Sequence, residues 1–213
     1  TVGEDGIIQV VGPGSAVITA KLGSQDATGA VTVEVSVPPE GPAPTPEHPP
    51  ANVISLFSDV YTDVTVDTWS AEWDAADVTD IQIQGDNVKK YSNLSFGGIE
   101  FTSQPINASA MTRFRMDFWT PDPTDPPAAF RVKLVDFGAD GAFGGGDDVE
   151  HELTFDASTT PALASGTWVS LDVPLSDFGG LTTRSHIAQL IISGDPNTVY
   201  LDNILFYKDT PSE

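Results

Sequence analysis

Short segments in which apolar and polar residues alternate recur along the chain, separated by turns rich in Gly, Asp, Asn and Pro. Alternation with a period of two is typical of half-buried β-strands. The clearest cases cover residues 111–119, 130–136, 168–173 and 187–192. No long stretch shows the 3.6-residue period of an amphipathic helix. Residues 52–209 therefore predict an all-β sandwich, and this length is sufficient to bury a core without help.

Three shorter β-branched segments precede this region, over residues 7–11, 16–22 and 30–37, and they predict three strands. Residues 38–50 then read PPEGPAPTPEHPP, and so proline-rich a segment favours extended polyproline II structure. Three strands alone leave an apolar face uncovered, so something must complete this first sheet. The predicted division of the chain is a first domain over 1–37, a stiff linker over 38–51, the sandwich over 52–209 and a tail over 210–213.

The segment GIIQVVGPGSAVITAKLGSQDATGAVTVEV resembles the closing half of a bacterial Ig-like domain of the second group. It contains the pattern V-x-G-x-G-x-A-x-I-T-A, followed by a final V-T-V-x-V strand. The resemblance implies a truncated spacer domain from an extracellular, multidomain bacterial protein. The alternative is that a neighbouring chain supplies the absent strands by β-augmentation.

Charge restricts the partners of the protein. Nine Lys and Arg stand against 31 Asp and Glu, which gives a formal net charge of −22. Such a surface repels nucleic acid and anionic bilayers, so neither is expected as a partner, and no apolar run is long enough to span a membrane. The chain has no cysteine, which excludes a disulfide framework, a thiol nucleophile and a thiolate zinc site.

Two tryptophans and four of the nine basic residues fall on the polar sides of the predicted strands. If these strands form one sheet, its polar face gathers the indoles, guanidiniums and amides that a sugar ring needs for stacking and hydrogen bonding. The alternative is that both indoles pack under a loop or the linker while the cations neutralise nearby carboxylates. The expected glycan-binding residues on this face are Arg113, Arg115, Asp117, Trp119, Arg131, Lys133, Trp168 and Gln189.

Two further tryptophans, Trp69 and Trp73, lie in the acidic and weakly patterned segment YTDVTVDTWSAEWDAAD. Their spacing places them on a common face of either a helix or a strand. An exposed pair would extend the stacking surface along a glycan, whereas a buried pair would cap one end of the core. Both belong to the expected glycan-binding set.

Residues 136–152 form an acidic, glycine-rich loop with six carboxylates in seventeen residues. These carboxylates repel one another unless a cation binds, and hard oxygen ligands on a flexible turn suit calcium. A Gly/Asp hairpin tip without metal is the alternative. In the last predicted strand, a carboxylate between apolar neighbours also needs an ion pair, a hydrogen bond or a metal. The candidate calcium ligands are Asp136, Asp140, Asp147, Asp148 and Glu150 in the loop, and Asp202 of the last strand with Asp59.

The segments GTWVSLDVPLSDF and VYLDNILFYK resemble the closing half of galactose-binding-like β-sandwich carbohydrate-binding modules. VISLFSDVYTDVTVDTW and VDFGADGAFGGGDD are similar to parts of modules attached to secreted bacterial laminarinase-type β-glucanases and to surface glycan-binding proteins. The resemblance implies a jelly-roll sandwich with its ligand on a concave sheet face or at end loops. It also implies a structural calcium between the first and last strands, here at Asp59 and Asp202.

No catalytic pattern is present: the three histidines lack catalytic neighbours, and nucleotide, acyl-transfer and metalloprotease motifs are missing. We therefore expect no catalytic residues and a noncatalytic, extracellular or cell-surface bacterial protein that binds polysaccharide, a neutral β-glucan such as laminarin. An accessory region of a larger glycoside hydrolase fits the same pattern. The competing interpretation is a structural subunit of a filament or adhesin, in which a neighbouring chain completes the Ig-like segment.

Overall fold

The computed structural model describes Ile8, residues 14–35 and residues 37–209, so the predicted tail lies outside the described residues. The chain divides into two compact units, residues 1–38 and residues 39–213. Regular structure in the described residues is β, apart from two single 3-10 turns at Pro50–Asn52 and Leu175–Asp177. The all-β class predicted from the alternating pattern is confirmed.

The first unit contains an antiparallel hairpin of β1 (Gly14–Leu22) and β2 (Gln25–Val35). Gly23 in the turn has a φ of +62°, a left-handed conformation that glycine adopts without strain. The predicted strand over residues 7–11 lies, apart from Ile8, outside the described residues. Large apolar side chains of the hairpin are exposed, at Val17, Leu22 and Val31.

The second unit is a β-sandwich of nine strands, all paired antiparallel. Along the sheet the strand order is β8-β7-β10-β5-β11-β6-β9, with β3 added to β11 and β4 added to β5. The strands are β3 Val53–Phe57, β4 Ala75–Ile83, β5 Asp86–Glu100, β6 Arg113–Trp119, β7 Phe130–Asp136, β8 Val149–Phe155, β9 Val169–Pro174, β10 Ile187–Gly194 and β11 Val199–Tyr207.

The fifteen-residue strand β5 connects the two layers of the sandwich. Its last residues, 96–100, pair with β10, whereas residues 89–91 pair with β11. We call β8, β7, β10 and the end of β5 the groove layer. We call β9, β6, β11 and β3 the strap layer.

The core between the layers is formed by the apolar side chains that the alternation assigned to the inside. In β6 these are Phe114, Met116 and Phe118, all fully buried. The rings of Phe118 and Phe130 of β7 lie 4.6 Å apart between centroids, which joins the two layers across the core. Burial of each such side chain stabilises the fold by roughly 1.5–3 kcal/mol.

The proline-rich segment belongs to the second unit and packs on the outer surface of the strap layer. We call residues 39–50 the proline strap. Proline has no backbone N–H, so the prolines of the strap can take part in backbone hydrogen bonds only through their carbonyl oxygens. Side chains of the sandwich donate to carbonyl oxygens of the strap. Arg115 Nη2 donates to the carbonyl of Pro44 at 3.1 Å, and the His48 ring stacks on Tyr207 at 3.8 Å between centroids. A segment interpreted from its composition as a linker is thus docked along this surface.

Candidate functional site

The four basic residues expected on one polar face lie on the outer surfaces of two different layers. Arg113 and Arg115 belong to β6 in the strap layer, whereas Arg131 and Lys133 belong to β7 in the groove layer. The single face expected from the sequence is therefore corrected. Alternation assigns each side chain to the inside or the outside of its own strand, but it does not reveal which strands are neighbours.

The two indoles expected to be open on that face are covered. Trp119 is 5% exposed and packs edge to face on Tyr200, with 5.2 Å between ring centroids. Trp168 is partly buried beside the same cluster, and its Nε1 donates to the carbonyl of Gly41 in the proline strap at 2.9 Å. The expected exposure of Trp119 and Trp168 is corrected: Trp119 is buried against Tyr200, and Trp168 lies against the segment predicted to be a linker.

The polar groups beside these indoles also bind one another. Asp117 is fully buried and accepts hydrogen bonds from Arg115, Ser170 and Asn203. Arg113 Nε donates to Asp172 at 2.7 Å. Buried charges require such partners, so Arg113, Arg115 and Asp117 hold the strap layer together and leave little capacity for a ligand.

Trp69 and Trp73 do not share a face, because the segment that carries them is irregular and neither helical nor strand spacing applies. Trp69 packs against the main core, edge to face on Phe57, with Lys89 Nζ 4.6 Å from its ring centroid. Trp73 is 45% exposed and lies at a groove on the outer surface of the groove layer. Of the four tryptophans, Trp73 is the most exposed.

This groove has a volume of about 720 Å³. Its floor includes Gln189 and Ile191 of β10 and Glu100 at the end of β5. Trp73 lies over β5 on one side, and the loop that follows β7 forms the other side. We call this the Trp73 groove; its lining residues are Trp73, Glu100, Thr102, Phe137, Gly141, Ala142, Phe143, Glu150, Gln189 and Ile191.

A glycine allows Trp73 to lie against the sheet. A Cβ atom at Gly98 would be 2.5 Å from Cη2 and 2.7 Å from Cζ2 of the indole, so this close approach requires a residue without a side chain. The indole also stacks on Phe96 with an interplanar angle of 16°. Its Nε1 donates to Glu100 Oε1 at 3.0 Å. The ring is therefore packed from below and held at its edge.

The polar side chains of the floor are fixed in the same way. Glu100 Oε1 also accepts a hydrogen bond from Gln189 Nε2 at 2.9 Å. Gln189, expected from the sequence to contact a glycan, thus lines the groove beside Trp73. A carboxylate and an amide held in place can orient the hydroxyl groups of a ligand at little entropic cost.

The two cations of β7 are neutralised by acids of β8. Lys133 Nζ lies 3.1 Å from Glu150 Oε1, and Arg131 Nε lies 3.9 Å from Glu152 Oε1. Glu100 and Glu150 both line the groove, so the charged groups of its lining are carboxylates.

In the acidic loop, carboxylates act largely as caps for backbone N–H groups. Asp136 accepts from the backbone of Gly138 and His186 and from the Thr183 hydroxyl. Asp147 and Asp148 accept backbone N–H groups within the loop, and Oδ1 of Asp148 is buried without a hydrogen-bond partner. Where the structure describes the chain, no three acidic or histidine side chains are gathered to hold a metal ion. Calcium binding by Asp136, Asp140, Asp147, Asp148 and Glu150 stays a prediction.

Asp59 and Asp202 are brought together through a residue that the sequence did not single out. The carboxyl group of Asp86, the first residue of β5, lies close enough to interact with both. Burial, together with the neighbouring carboxylates Asp86 and Asp117, raises the pKa of Asp202 to about 8, although a hydrogen bond from the Asn203 N–H acts in the opposite direction. Burial also raises the pKa of Asp86. Neighbouring carboxyl groups repel one another when all are ionised, and either a retained proton or a bound cation would relieve that repulsion. Calcium at Asp59 and Asp202 also stays a prediction.

Several lining residues of the groove were not identified from the sequence, notably Glu100 and Phe143. One available signal was the Gly97–Gly98 pair within a strand, because glycine in a strand often marks a close approach by another group. The other signal was a phenylalanine among the glycines of the acidic loop, where no core is available to bury it.

No family profile and no curated protein matches the sequence. Among solved structures, the chain is similar to a family 30 carbohydrate-binding module, with a TM-score of 0.54 and 12% identity over 76% of this chain and 90% of that one. It is also similar to the family 30 module of a cellulosomal cellulase of Clostridium thermocellum. The TM-score there is 0.54 and the identity 12%, over 74% of this chain and 98% of that one.

These comparisons establish the fold of the second unit as the β-sandwich of carbohydrate-binding modules. The predicted β-sandwich is thus confirmed, while the Ig-like character of the first unit and the laminarinase-type relationship stay predictions. In the described part of the chain, no helix has the length and apolar character needed to cross a membrane.

Proposed function

We propose that the second unit is a noncatalytic carbohydrate-binding module and that polysaccharide binds in the Trp73 groove. The observation that carries this proposal is an exposed indole that is packed from below on Gly98 and Phe96 and held at its edge by Glu100. Exposed apolar side chains that line a groove mark interaction sites more reliably than isolated ones do. The fold shared with family 30 modules supports the same function.

The chemistry of the groove suits a sugar ring. A flat indole offers its π-face to the axial C–H groups of a pyranose, and aromatic contacts of this kind contribute about 0.5–1.5 kcal/mol each beyond area burial. Glu100, Gln189 and Thr102 supply hydrogen-bonding groups for hydroxyls. Because the indole is already fixed, little side-chain entropy is lost on binding.

The ligand class that fits best is a neutral β-glucan such as laminarin. Glu100 and Glu150 line the groove, Lys133 is paired with Glu150, and the chain has a formal net charge of −22. A uronic or sulfated polysaccharide would be repelled by these carboxylates and by the long-range field of the protein. A polysaccharide ligand also favours an extracellular or cell-surface location, consistent with an accessory role beside a glycoside hydrolase.

Isothermal titration with laminarin and mixed-linkage glucan oligosaccharides tests the proposal. Wild-type protein should bind, and binding should quench tryptophan emission. Trp73→Ala should abolish binding while the protein stays folded, because the indole lies on the outer surface of the groove layer and not in the core. Trp168→Phe is the matched control: it removes the donor to Gly41 on the strap layer and should leave affinity unchanged. Loss of binding in the control but not in Trp73→Ala would contradict the assignment.

A second candidate function is structural, and the hairpin of the first unit favours it. Val17, Leu22 and Val31 are exposed on a two-stranded sheet, an arrangement that is marginal in water by itself. A neighbouring chain that adds strands would make the protein an assembly or adhesin subunit. Analytical ultracentrifugation over a wide concentration range separates the two: concentration-dependent polymers without a glycan response would favour assembly.

A further inference from the structure

The loop between β7 and β8 contributes the second exposed aromatic side chain of the Trp73 groove. Phe143 is 75% exposed and Trp73 is 45% exposed, more than any other tryptophan or phenylalanine among the described residues. Both line the same groove, although they come from loops far apart in the sequence. Trp73 lies over Gly98 of β5, whereas Phe143 packs on Phe137 just after β7, and β10 lies between these two strands.

The loop is built to hold Phe143 in this position. The Phe143 ring packs on Phe137, with 5.6 Å between centroids. Phe137 is itself buried, in a small apolar cluster with Val135 and Ala188. Carboxylates fix the backbone on both sides: Ala142 N donates to Asp140 at 2.9 Å, and Gly144 N donates to Asp148 at 2.7 Å. An exposed phenylalanine on a fixed backbone is already positioned to contact a ligand.

We propose that Phe143 is a specificity-determining residue that closes a two-sided clamp, in which a sugar ring lies between Trp73 and Phe143. This inference rests on the proposed carbohydrate-binding function and adds the configuration of the sugar that the site selects. A β-glucosyl or β-xylosyl ring in its chair form has equatorial ring hydroxyls and presents C–H groups on both faces. Both faces can therefore contact aromatic rings.

Mannosyl and galactosyl rings carry an axial hydroxyl, at C2 and C4 respectively, on one face. Between two aromatic walls this hydroxyl is desolvated without a hydrogen-bond partner, which costs free energy. A site with Trp73 alone leaves the second face in water and tolerates the axial group. The clamp therefore selects gluco- and xylo-configured chains over manno- and galacto-configured ones, and the selection depends on Phe143.

The test compares affinities for cellotetraose or laminaritetraose with those for mannotetraose, in wild-type protein, Phe143→Ala and Phe143→Trp. Phe143→Ala should weaken gluco-oligosaccharide binding by up to about tenfold, while mannotetraose binding changes little, so the preference between them shrinks. Phe143→Trp restores an aromatic wall and should restore the preference. The Tm of both variants should match wild type, because the side chain is mostly exposed.

Trp73→Ala separates the failure of the clamp from the failure of the binding function. If Trp73→Ala abolishes binding while Phe143→Ala leaves the gluco-to-manno ratio unchanged, Phe143 is not a wall of the site and the clamp is wrong although the binding function stands. If wild-type protein binds none of these oligosaccharides, the proposed function and the clamp are both wrong. An equal loss of gluco and manno binding in Phe143→Ala also overturns the proposed selection.

Discussion

Replacement of Gly98 by alanine should weaken glycan binding although Gly98 itself does not line the groove. The new Cβ would lie 2.5 Å, 2.7 Å and 3.0 Å from Cη2, Cζ2 and Cζ3 of Trp73. Carbon atoms in contact prefer separations of about 3.5–4.0 Å, so the indole must retreat from the sheet by about 1 Å. A displacement of this size lengthens and misaligns the 3.0 Å hydrogen bond between Trp73 Nε1 and Glu100 and so weakens it.

The expected loss follows from these contacts. Fixing the loosened indole on binding costs about 0.5–1.5 kcal/mol, and a misaligned stacking contact with the glycan forfeits a similar amount. A total near 2 kcal/mol corresponds to a dissociation constant roughly 30-fold higher. The fold should be unaffected, because the φ angle of Gly98 lies outside the left-handed region and the displaced ring is already half in solvent.

Isothermal titration of Gly98→Ala measures the affinity, and near-UV circular dichroism and acrylamide quenching of tryptophan emission report the indole without any ligand. Gly179→Ala is the matched control, because a Cβ at Gly179 meets nothing within 4 Å. Unchanged quenching and unchanged affinity in Gly98→Ala would show that the absence of a side chain at position 98 is not what allows Trp73 to pack against the sheet. Altered quenching with unchanged affinity would instead show that Gly98 does position the Trp73 indole, but that this position does not determine the affinity.

Three further predictions concern the carboxylates. Asp117→Ala should lower the free energy of unfolding by about 3–5 kcal/mol, because it leaves the largely buried Arg115 guanidinium without its ion-pair partner. An unchanged Tm in calorimetry would contradict this. Since Asp202 keeps its proton up to about pH 8 in the folded state but loses it near pH 4 when unfolded, stability should fall as pH rises from about 4 to 8, by at most about 1.4 kcal/mol per unit. Urea titrations in EDTA should show a flatter profile for Asp202→Asn, and equal slopes would argue against this origin. Calcium, if it binds at Asp59 and Asp202, should raise the Tm of wild-type protein at pH 8 but not that of Asp202→Asn, whereas a shift retained in the variant would point to another site.

The strands of the sandwich could be predicted because alternation is a local property. In residues 130–136 it placed Phe130, Val132 and Leu134 inside, and all three are fully buried. The arrangement of the strands depends on long-range pairing, which no window of sequence reports. The prediction therefore combined β6 and β7 on one face although β10, β5 and β11 lie between them.

The groove was only partly predictable for a related reason. Trp73 and Gln189 were expected as glycan contacts, but the packing of the Trp73 indole on Gly98 depends on the path of an irregular segment. Phe143 was overlooked because its loop was interpreted through the carboxylates alone. Trp168 lies against the proline strap, and composition alone cannot distinguish a docked polyproline segment from a free one.

The docked strap changes where a recombinant fragment should begin. Truncation at residue 52, the boundary that hydrophobic patterning suggests, would leave the Trp168 N–H and the Arg115 guanidinium without their carbonyl acceptors and the Tyr207 ring without its stacked imidazole. Such a fragment would expose the surface of the strap layer that the strap normally covers, which favours aggregation. Insolubility during expression could then be mistaken for poor ligand affinity. Cloning from residue 39 keeps this packing intact.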